Sequence, residues 1–263
     1  MLKLYHSTTS VCAIKVRLTL EEKALPWTGE LLSLQRGDQH RPEYLKLNPN
    51  AVVPTLVHDE KVLIESTLII EYLDEAFPEP ALMPRDPYGR VGARLWMKKI
   101  DDTLHAACST LTFAIAFRKS FQRLSPQALE DRLARIPNAA YRERQRLSIV
   151  HGLEAPHVVE ALRAYDKYFA EMDETLARSE YLAGDRYSLA DAAVTSYVNR
   201  ARMLAMDPLM ANRPHLAAWF ERVQSRPSFG RAVTSWLSEE DARRFDVVPG
   251  DVTPKLRRIL QTQ

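Results

Sequence analysis

Between Asn48 and Leu73 the chain reads NPNAVVPTLVHDEKVLIESTLIIEYL, and a proline interrupts what is otherwise a strand-forming run. Val52, Val53, Thr55, Leu56 and Val57 favour a pleated, half-buried backbone. Pro54 has no N–H to give to a ladder, so it belongs at a sheet edge or a bulge, and the chain has to turn there. His58-Asp59-Glu60-Lys61 follows as a polar turn and Val62-Leu63-Ile64 as a second short strand. Glu65-Ser66 then opens a helix whose apolar face carries Leu68, Ile69, Tyr72 and Leu73.

A cis Val53–Pro54 bond costs only about 0.5–1 kcal/mol. It would turn the N–H and C=O of Val53 outward, where an extended peptide can pair with them as a short added strand. Ser66, at a helix N-terminus, meets free N–H groups and the positive end of the helix dipole, which suits a carboxylate. Glu65 beside it suits an ammonium group. Taken singly these residues have ordinary explanations: Ser66 as an N-cap, Pro54 as a turn, Glu65 as a surface charge. In this order and spacing they describe a site for a ligand with a peptide-like middle and an amino-acid head.

The first 78 residues carry the rest of that sheet. Leu2-Lys3-Leu4-Tyr5 alternates as a first strand, and His6 to Cys12 (HSTTSVC) is a hydroxyl-rich loop of the kind that places side chains. Ile14, Val16, Leu18 and Leu20, interleaved with Lys15, Arg17, Glu21, Glu22 and Lys23, suggest a helix ending near Pro26. A second strand is expected at Glu30-Leu31-Leu32 and a short helix around Pro42 to Leu45. The order β-α-β-α-β-β-α implies parallel pairing across the first helix crossover and a terminal hairpin.

Four prolines between Phe77 and Arg90 stiffen the chain, so residues 79–89 read as a linker. Residues 90–245 read as all-helical, with a long helix from Arg94 to Phe121 and a start at Ser125-Pro126. Val158 to Leu176 is amphipathic, Ser188–Asp191 has capping-box form, and shorter helices are expected at Pro214–Gln224 and after Arg226. Asn138 to Pro156 holds Arg142, Arg144 and Arg146 and is less periodic. The charged end, 246–263, reads as a loosely attached tail.

The formal charge of +2 gives no electrostatic reason to expect nucleic acid or an acidic membrane surface. Cys12 and Cys108 are the only cysteines, so a disulfide framework is not indicated and a reducing, cytoplasmic setting is expected. The N-terminus lacks the apolar core of a signal peptide, and no apolar run is long enough to span a bilayer. The histidines lack ligand spacing, so no metal is expected.

The first strand with its hydroxyl loop, Asn48-Pro49 and Val53-Pro54, Glu65-Ser66 before a helix, the proline-rich linker and the Ser188–Asp191 cap together resemble the cytosolic glutathione transferases over nearly the whole chain. The match looks nearest to bacterial members of the β-etherase type, on Gln39-His40, the run STLTFAIAF from Ser109 to Phe117, and the arginine-rich region before His157. The resemblance implies an α/β thioredoxin-like N-terminal domain that binds glutathione and an all-α C-terminal domain that helps form the acceptor pocket. It also implies a homodimer.

The thiol of glutathione must ionise to act as a nucleophile, and an unperturbed thiol of pKa about 8.5 is only about 3% thiolate at pH 7. Lowering that pKa by roughly two units takes about 2.7 kcal/mol. One hydroxyl and one loop N–H can supply this, since hydrogen bonds to charged groups contribute about 1.5–3 kcal/mol each. Serine-type relatives use a first-loop serine; the matching position is Ser10, followed as candidates by Thr9 and Thr8. Any of them can instead simply cap the first helix. Cys12, near a helix N-terminus that lowers its pKa, offers a mixed-disulfide chemistry instead. By the same resemblance Gln39 and His40 reach the glycyl carboxylate, and Val52, Val53, Pro54, Glu65 and Ser66 bind the remainder of the tripeptide. Trp96, Phe113, Ala116 and Phe117 are expected to line the pocket of a small hydrophobic, aromatic electrophile. Attack there can end in conjugation, ether cleavage or reductive displacement. A non-catalytic binding or regulatory protein and a Cys12-dependent thiol–disulfide reductase stay open beside the enzyme.

Overall fold

The structure is a computed structural model and describes residues 1–261; positions 262–263 of the expected tail lie outside the described residues. β1 (Leu2–His6), α1 (Val11–Glu22) and β2 (Trp27–Leu31) form a crossover with the two strands parallel. A single 3-10 turn at Asp38–His40 and the short α2 (Pro42–Leu45) lead to the antiparallel hairpin of β3 (Thr55–His58) and β4 (Lys61–Leu63). α3 (Ser66–Ala76) follows. The sheet order is β2-β1-β3-β4, with β3 antiparallel to β1. This is the mixed thioredoxin-like pattern that the strand and helix signals implied. The second strand lies earlier than Glu30–Leu32, because Trp27 and Thr28 pair with Leu2 and Lys3.

The register decides where function can sit. Tyr5 pairs with Thr55, His6 with Leu31 and Leu56 with Leu63. The chain leaving β1, leaving β2, entering β3 and leaving β4 therefore emerges at one end of the sheet. α1 packs against α3 and is buried on nearly every side, Lys15 and Arg17 included. Past α3, the buried Asp74 accepts from Leu82 N at 2.8 Å, Met83 N at 3.0 Å and Lys23 Nζ at 2.8 Å, which pins the proline-rich stretch.

α4 (Pro87–Lys99), a π-helical turn at Ile100–Leu104, α5 (His105–Thr112), a second π-helical turn at Phe113–Phe117 and α6 (Arg118–Phe121) run without a break. The helix starts earlier than Arg94 because proline in a first helical turn gives up no needed hydrogen bond. α7 (Pro126–Ala134) is capped by Ser125 and α8 (Ala139–His151) by Asn138. The less periodic arginine-rich segment is thus a helix. α9 (Val158–Leu176) falls where its amphipathic pattern places it, and α10 (Leu189–Met203), α11 (Pro214–Gln224) and α12 (Pro227–Ala232) fall where the Ser188–Asp191 cap and the helix signals at Pro214 and after Arg226 place them. α13 (Glu239–Arg244) and α14 (Pro249–Gln261) complete the chain. α14 is no loose tail: Val252 and Leu256 are buried and the helix packs against α9.

The chain packs as two compact units. One comprises Met1–Lys98, Ser179–Ser196 and Trp219–Ser238; the other takes Lys99–Arg178, Tyr197–Ala218 and the remainder from Glu239. In the first, the fully buried Asp191 accepts from Leu182 N, Ser188 N, Ser188 Oγ and Trp219 Nε1 at 2.7–3.1 Å, so the Ser188–Asp191 cap also ties α10 to the start of the later segment.

Candidate active site

Ser10 is the N-cap of α1, with an extended backbone, and its Oγ accepts from Ala13 N at 3.3 Å. A hydroxyl has one proton and two lone pairs, so accepting from Ala13 leaves the proton to donate. Capping and thiol activation are therefore compatible in the one side chain, which stays half-exposed. Thr9 is buried, Thr8 is half-buried, and Cys12 is half-buried in the first turn of α1.

Across the same end of the sheet, the carbonyl of Val52 accepts from Tyr44 Oη at 2.5 Å and Asn48 Nδ2 at 3.0 Å. Tyr44 and Asn48 also reach Thr55 Oγ1, at 2.9 and 3.2 Å. The Val52 carbonyl and the Val53 N–H belong to one planar trans peptide and point in opposite directions. Two inward bonds to the carbonyl therefore hold the Val53 N–H outward. Neither backbone group of Val53 meets a partner among the described residues, while its side chain packs in a cluster with Leu32 and Tyr44. The Val53–Pro54 bond is cis, and Val52 is exposed.

At the exit from β4, Glu65 takes φ 67 and ψ 105, a left-handed conformation that is uncommon for a residue with a side chain and typical of functional sites. Glu65, not Ser66, stands at the N-cap of α3, and it makes no side-chain cap bond. Ser66 is the first helical residue and is buried, so reading it as a simple N-cap does not hold. Its position leaves it among the first-turn N–H groups that have no intrahelical acceptor. Lys15, fully buried on α1, donates to Thr67 Oγ1 at 2.9 Å and ties the two helix starts together.

Gln39 and His40 sit on the 3-10 turn after β2. The turn is held by Asp38, which accepts from Ser33 N at 2.9 Å and pairs with Arg41 at 2.7 Å. The Ser33 N–H, followed by the nearby arginines, holds the Asp38 carboxyl below its ordinary range. Gln39 Oε1 is buried with no hydrogen-bond partner among the described residues. A buried amide oxygen in that state is the kind of group a ligand satisfies. Thus Ser10, Val53, Glu65, Ser66 and Gln39, read from separate motifs, lie on segments that leave or enter the sheet at one end.

The expected acceptor-pocket residues are distributed differently. Trp96 is buried in α4 of the first unit. In the second unit, Phe113 and Phe117 stack edge-on at 5.3 Å, and Phe117 also meets Phe245. Ala116 lines a cavity of about 530 Å³ with Ala114 and Ile115; Val247, Val252, Lys119 and Arg243 are among the other residues lining it. The π-helical turn is what carries Ala114–Ala116 along that cavity. Arg142, Arg144 and Arg146 do not line it. Arg142 donates to the Ile136 carbonyl, and Arg146 pairs with Glu130 and Glu143.

Sequence reasoning overlooked Arg17, His6, Tyr44 and Asn48. One signal was available: in Ile14-Lys15-Val16-Arg17-Leu18 charge alternates with apolar residues at a period of two, which on a helix leaves no polar face. At least one cation then has to be buried.

Residues 4–81 match the family model described as glutathione S-transferase, N-terminal domain, and residues 129–227 match the glutathione S-transferase C-terminal domain. Protein LigF of Sphingobium sp. is 31% identical over 236 residues, 86% of this chain and 91% of that protein. The crystal structure of β-etherase LigF superposes with a TM-score of 0.80 at 30% identity, covering 88% of this chain and 98% of that one. The tetrachloro-p-hydroquinone reductive dehalogenase of Sphingobium chlorophenolicum is 29% identical over 253 residues, 89% of this chain and 96% of the relative. A theta-class glutathione S-transferase from Xanthomonas axonopodis pv. citri, solved with glutathione bound, superposes with a TM-score of 0.67 at 26% identity. That alignment covers 88% of this chain and 96% of the other.

Proposed function

The chain belongs to the glutathione S-transferase family, and from that premise we propose that Ser10 donates its hydroxyl proton to the glutathione thiolate, which attacks an apolar, aromatic electrophile. Glutathione is the co-substrate of the family. In this reading the tripeptide lies along the outward N–H and C=O of Val53 beside Pro54. Glu65 takes its ammonium, and Ser66 with the first turn of α3 takes the neighbouring carboxylate. Gln39 and His40 hold the glycyl end.

The observation that carries the proposal is the state of Ser10. Its oxygen caps α1 while its proton remains to be given, at the sheet end where Val53 has unpaired backbone groups. Relatives named as a β-etherase and as a reductive dehalogenase both suggest displacement on an aryl substrate. For an aryl ether, the sulfur forms a bond to the ether carbon, the carbon–oxygen bond breaks, and aryloxide leaves with the bonding pair.

Ultraviolet titration of the bound thiol tests the reading. A thiolate band that persists below pH 7 in the wild type and moves to higher pH in Ser10→Ala is expected. A band that first grows in above pH 8 in both proteins would leave a glutathione-binding protein without turnover.

A second copy of the chain is the proposed partner. Tyr88, Val91 and Leu95 are exposed at helical spacing along α4, and Leu68 on α3 is exposed as well. Sedimentation of the wild type should give a dimer and of Leu95→Glu a smaller species; a wild-type monomer would end this assignment. The cytoplasmic assignment rests on the two free cysteines. Among the described residues, no helix is long and apolar enough to cross a membrane.

A further inference from the structure

Arg17 is fully buried in α1, yet among the described residues it meets no carboxylate. Its donors go to main-chain oxygens instead. Nη1 donates to Ser7 O at 3.1 Å, Nη2 to Thr8 O at 2.8 Å and Nε to Ala232 O at 2.7 Å. Nη1 also lies 3.0 Å from His6 Nδ1, and the guanidinium carbon sits 5.4 Å from the centre of the Trp236 ring. The Ser7 oxygen that Arg17 holds also accepts from Ser10 N at 3.3 Å. One carbonyl thus links the guanidinium directly to the residue that carries the hydroxyl.

The carboxylates nearest along the helix are committed elsewhere. Glu21 pairs with Arg231 and accepts from Trp27 Nε1; Glu22 pairs with Arg226 and accepts from Ser228. The titratable group in contact with the guanidinium is His6 on β1. Burial pulls the guanidinium down to about 9, which still leaves it charged at neutral pH.

A buried cation without a counter-ion is costly to fold around, and a fold that keeps one has placed an uncompensated positive field there. The geometry points to Arg17 as the positioning residue of the thiol-activating loop: it clamps the Ser7 and Thr8 carbonyls so that Ser10 is presented to the sulfur, and its charge favours the thiolate over the thiol. The two held carbonyls fix the loop, and the field adds to the anion preference that the Ser10 hydroxyl and a loop N–H supply. This rests on the thiolate reading above.

The test compares Arg17→Met and Arg17→Lys with wild type, using glutathione and chlorodinitrobenzene, after circular dichroism has confirmed the fold. Arg17→Met is expected to raise the thiol pKa by about one unit, and so to lower kcat/KM about fivefold at pH 6.5 with little loss at pH 9. Arg17→Lys keeps the charge but not the two-pronged fork. It should retain more than half of the depressed thiol pKa, and kcat should fall while KM for glutathione stays within about twofold. A folded variant of either kind with the wild-type pH profile, or an equal loss at both pH values, overturns the proposal. If Arg17→Met does not fold, Arg17→Lys decides alone by the same two readouts. Ser10→Ala separates the levels: if it leaves the thiol titration unchanged, the thiolate reading itself fails; if it shifts the titration and the Arg17 variants do not, only the role of Arg17 falls.

Discussion

Arg17 Nη1 lies 3.0 Å from His6 Nδ1, so a buried guanidinium donates to a buried imidazole that must be neutral to accept. Burial, with the Arg17 charge adding to it, pushes His6 from its ordinary 6.5 down to about 3. A histidine depressed in the folded state binds its proton only when the chain unfolds. Its contribution to stability is therefore complete above pH 6.5 and is lost as pH falls from 6.5 toward 3, at about 1.4 kcal/mol per pH unit. Urea denaturation at pH 7 and pH 5 should show about 2 kcal/mol of loss from this source. His6→Gln should flatten that part of the curve; an unchanged slope would assign the acid sensitivity to other groups.

The same imidazole makes Gly29 on β2 a close-approach position. A Cβ there would stand 2.7 Å from His6 Nε2 and 3.1 Å from Trp27 Cζ3. His6 has no room to yield, because Arg17 holds one edge of the ring and Trp236 packs at 4.6 Å. Gly29→Ala should cost about 1–3 kcal/mol in chemical denaturation. Gly230 in α12 has open space around it, so Gly230→Ala should be neutral or stabilising by up to about 1 kcal/mol. Equal effects at the two positions would mean that the His6 contact does not matter.

Much of the first unit could be read from local chemistry. Alternation gave β1, β-forming runs on either side of a polar turn gave the hairpin, hydroxyl-then-proline gave the start of α7 at Ser125-Pro126, and the bounds of α9 followed from its amphipathic pattern. Pro54 marked the turn, and the Glu65-Ser66 pair marked the helix start. What stayed hidden depended on tertiary partners. The charge alternation in α1 requires a buried cation, but what encloses Arg17 and Lys15 depends on Ala232 of α12 and Thr67 of α3. α8 lacks a clean apolar stripe because the residues it buries, Gln145, Ser148 and Ile149, are mostly polar. α14 is short of apolar residues, and only Val252 and Leu256 seat it.

Cys12 and Ser10 occupy the same helix start and make opposite predictions. Ser10 is the N-cap with its hydroxyl proton available, and Cys12 lies two residues further on, inside the first turn. Cys12→Ser should leave conjugation of chlorodinitrobenzene within about twofold of wild type, and Ser10→Ala should lower kcat/KM at least about tenfold, the effect of losing one charge-assisted hydrogen bond. The reverse ranking would make the protein a thiol–disulfide reductase.

Asn48 supplies the last test, because it acts on the ligand without touching it. Its Nδ2 and the Tyr44 hydroxyl hold the Val52 carbonyl inward, and peptide planarity then aims the Val53 N–H outward. Asn48→Ala removes one of the two inward bonds, worth about 1 kcal/mol, and lets this peptide unit rock. The loss falls on tripeptide binding and not on the chemistry at sulfur, so KM for glutathione should rise about threefold to tenfold while kcat and the thiol pKa stay near wild type. Tyr44→Phe should act in the same direction, with an added stability cost of about 1 kcal/mol for the Thr55 contact it also gives up. A fall in kcat with KM unchanged in both variants would show that the backbone at Val53 does not carry the ligand.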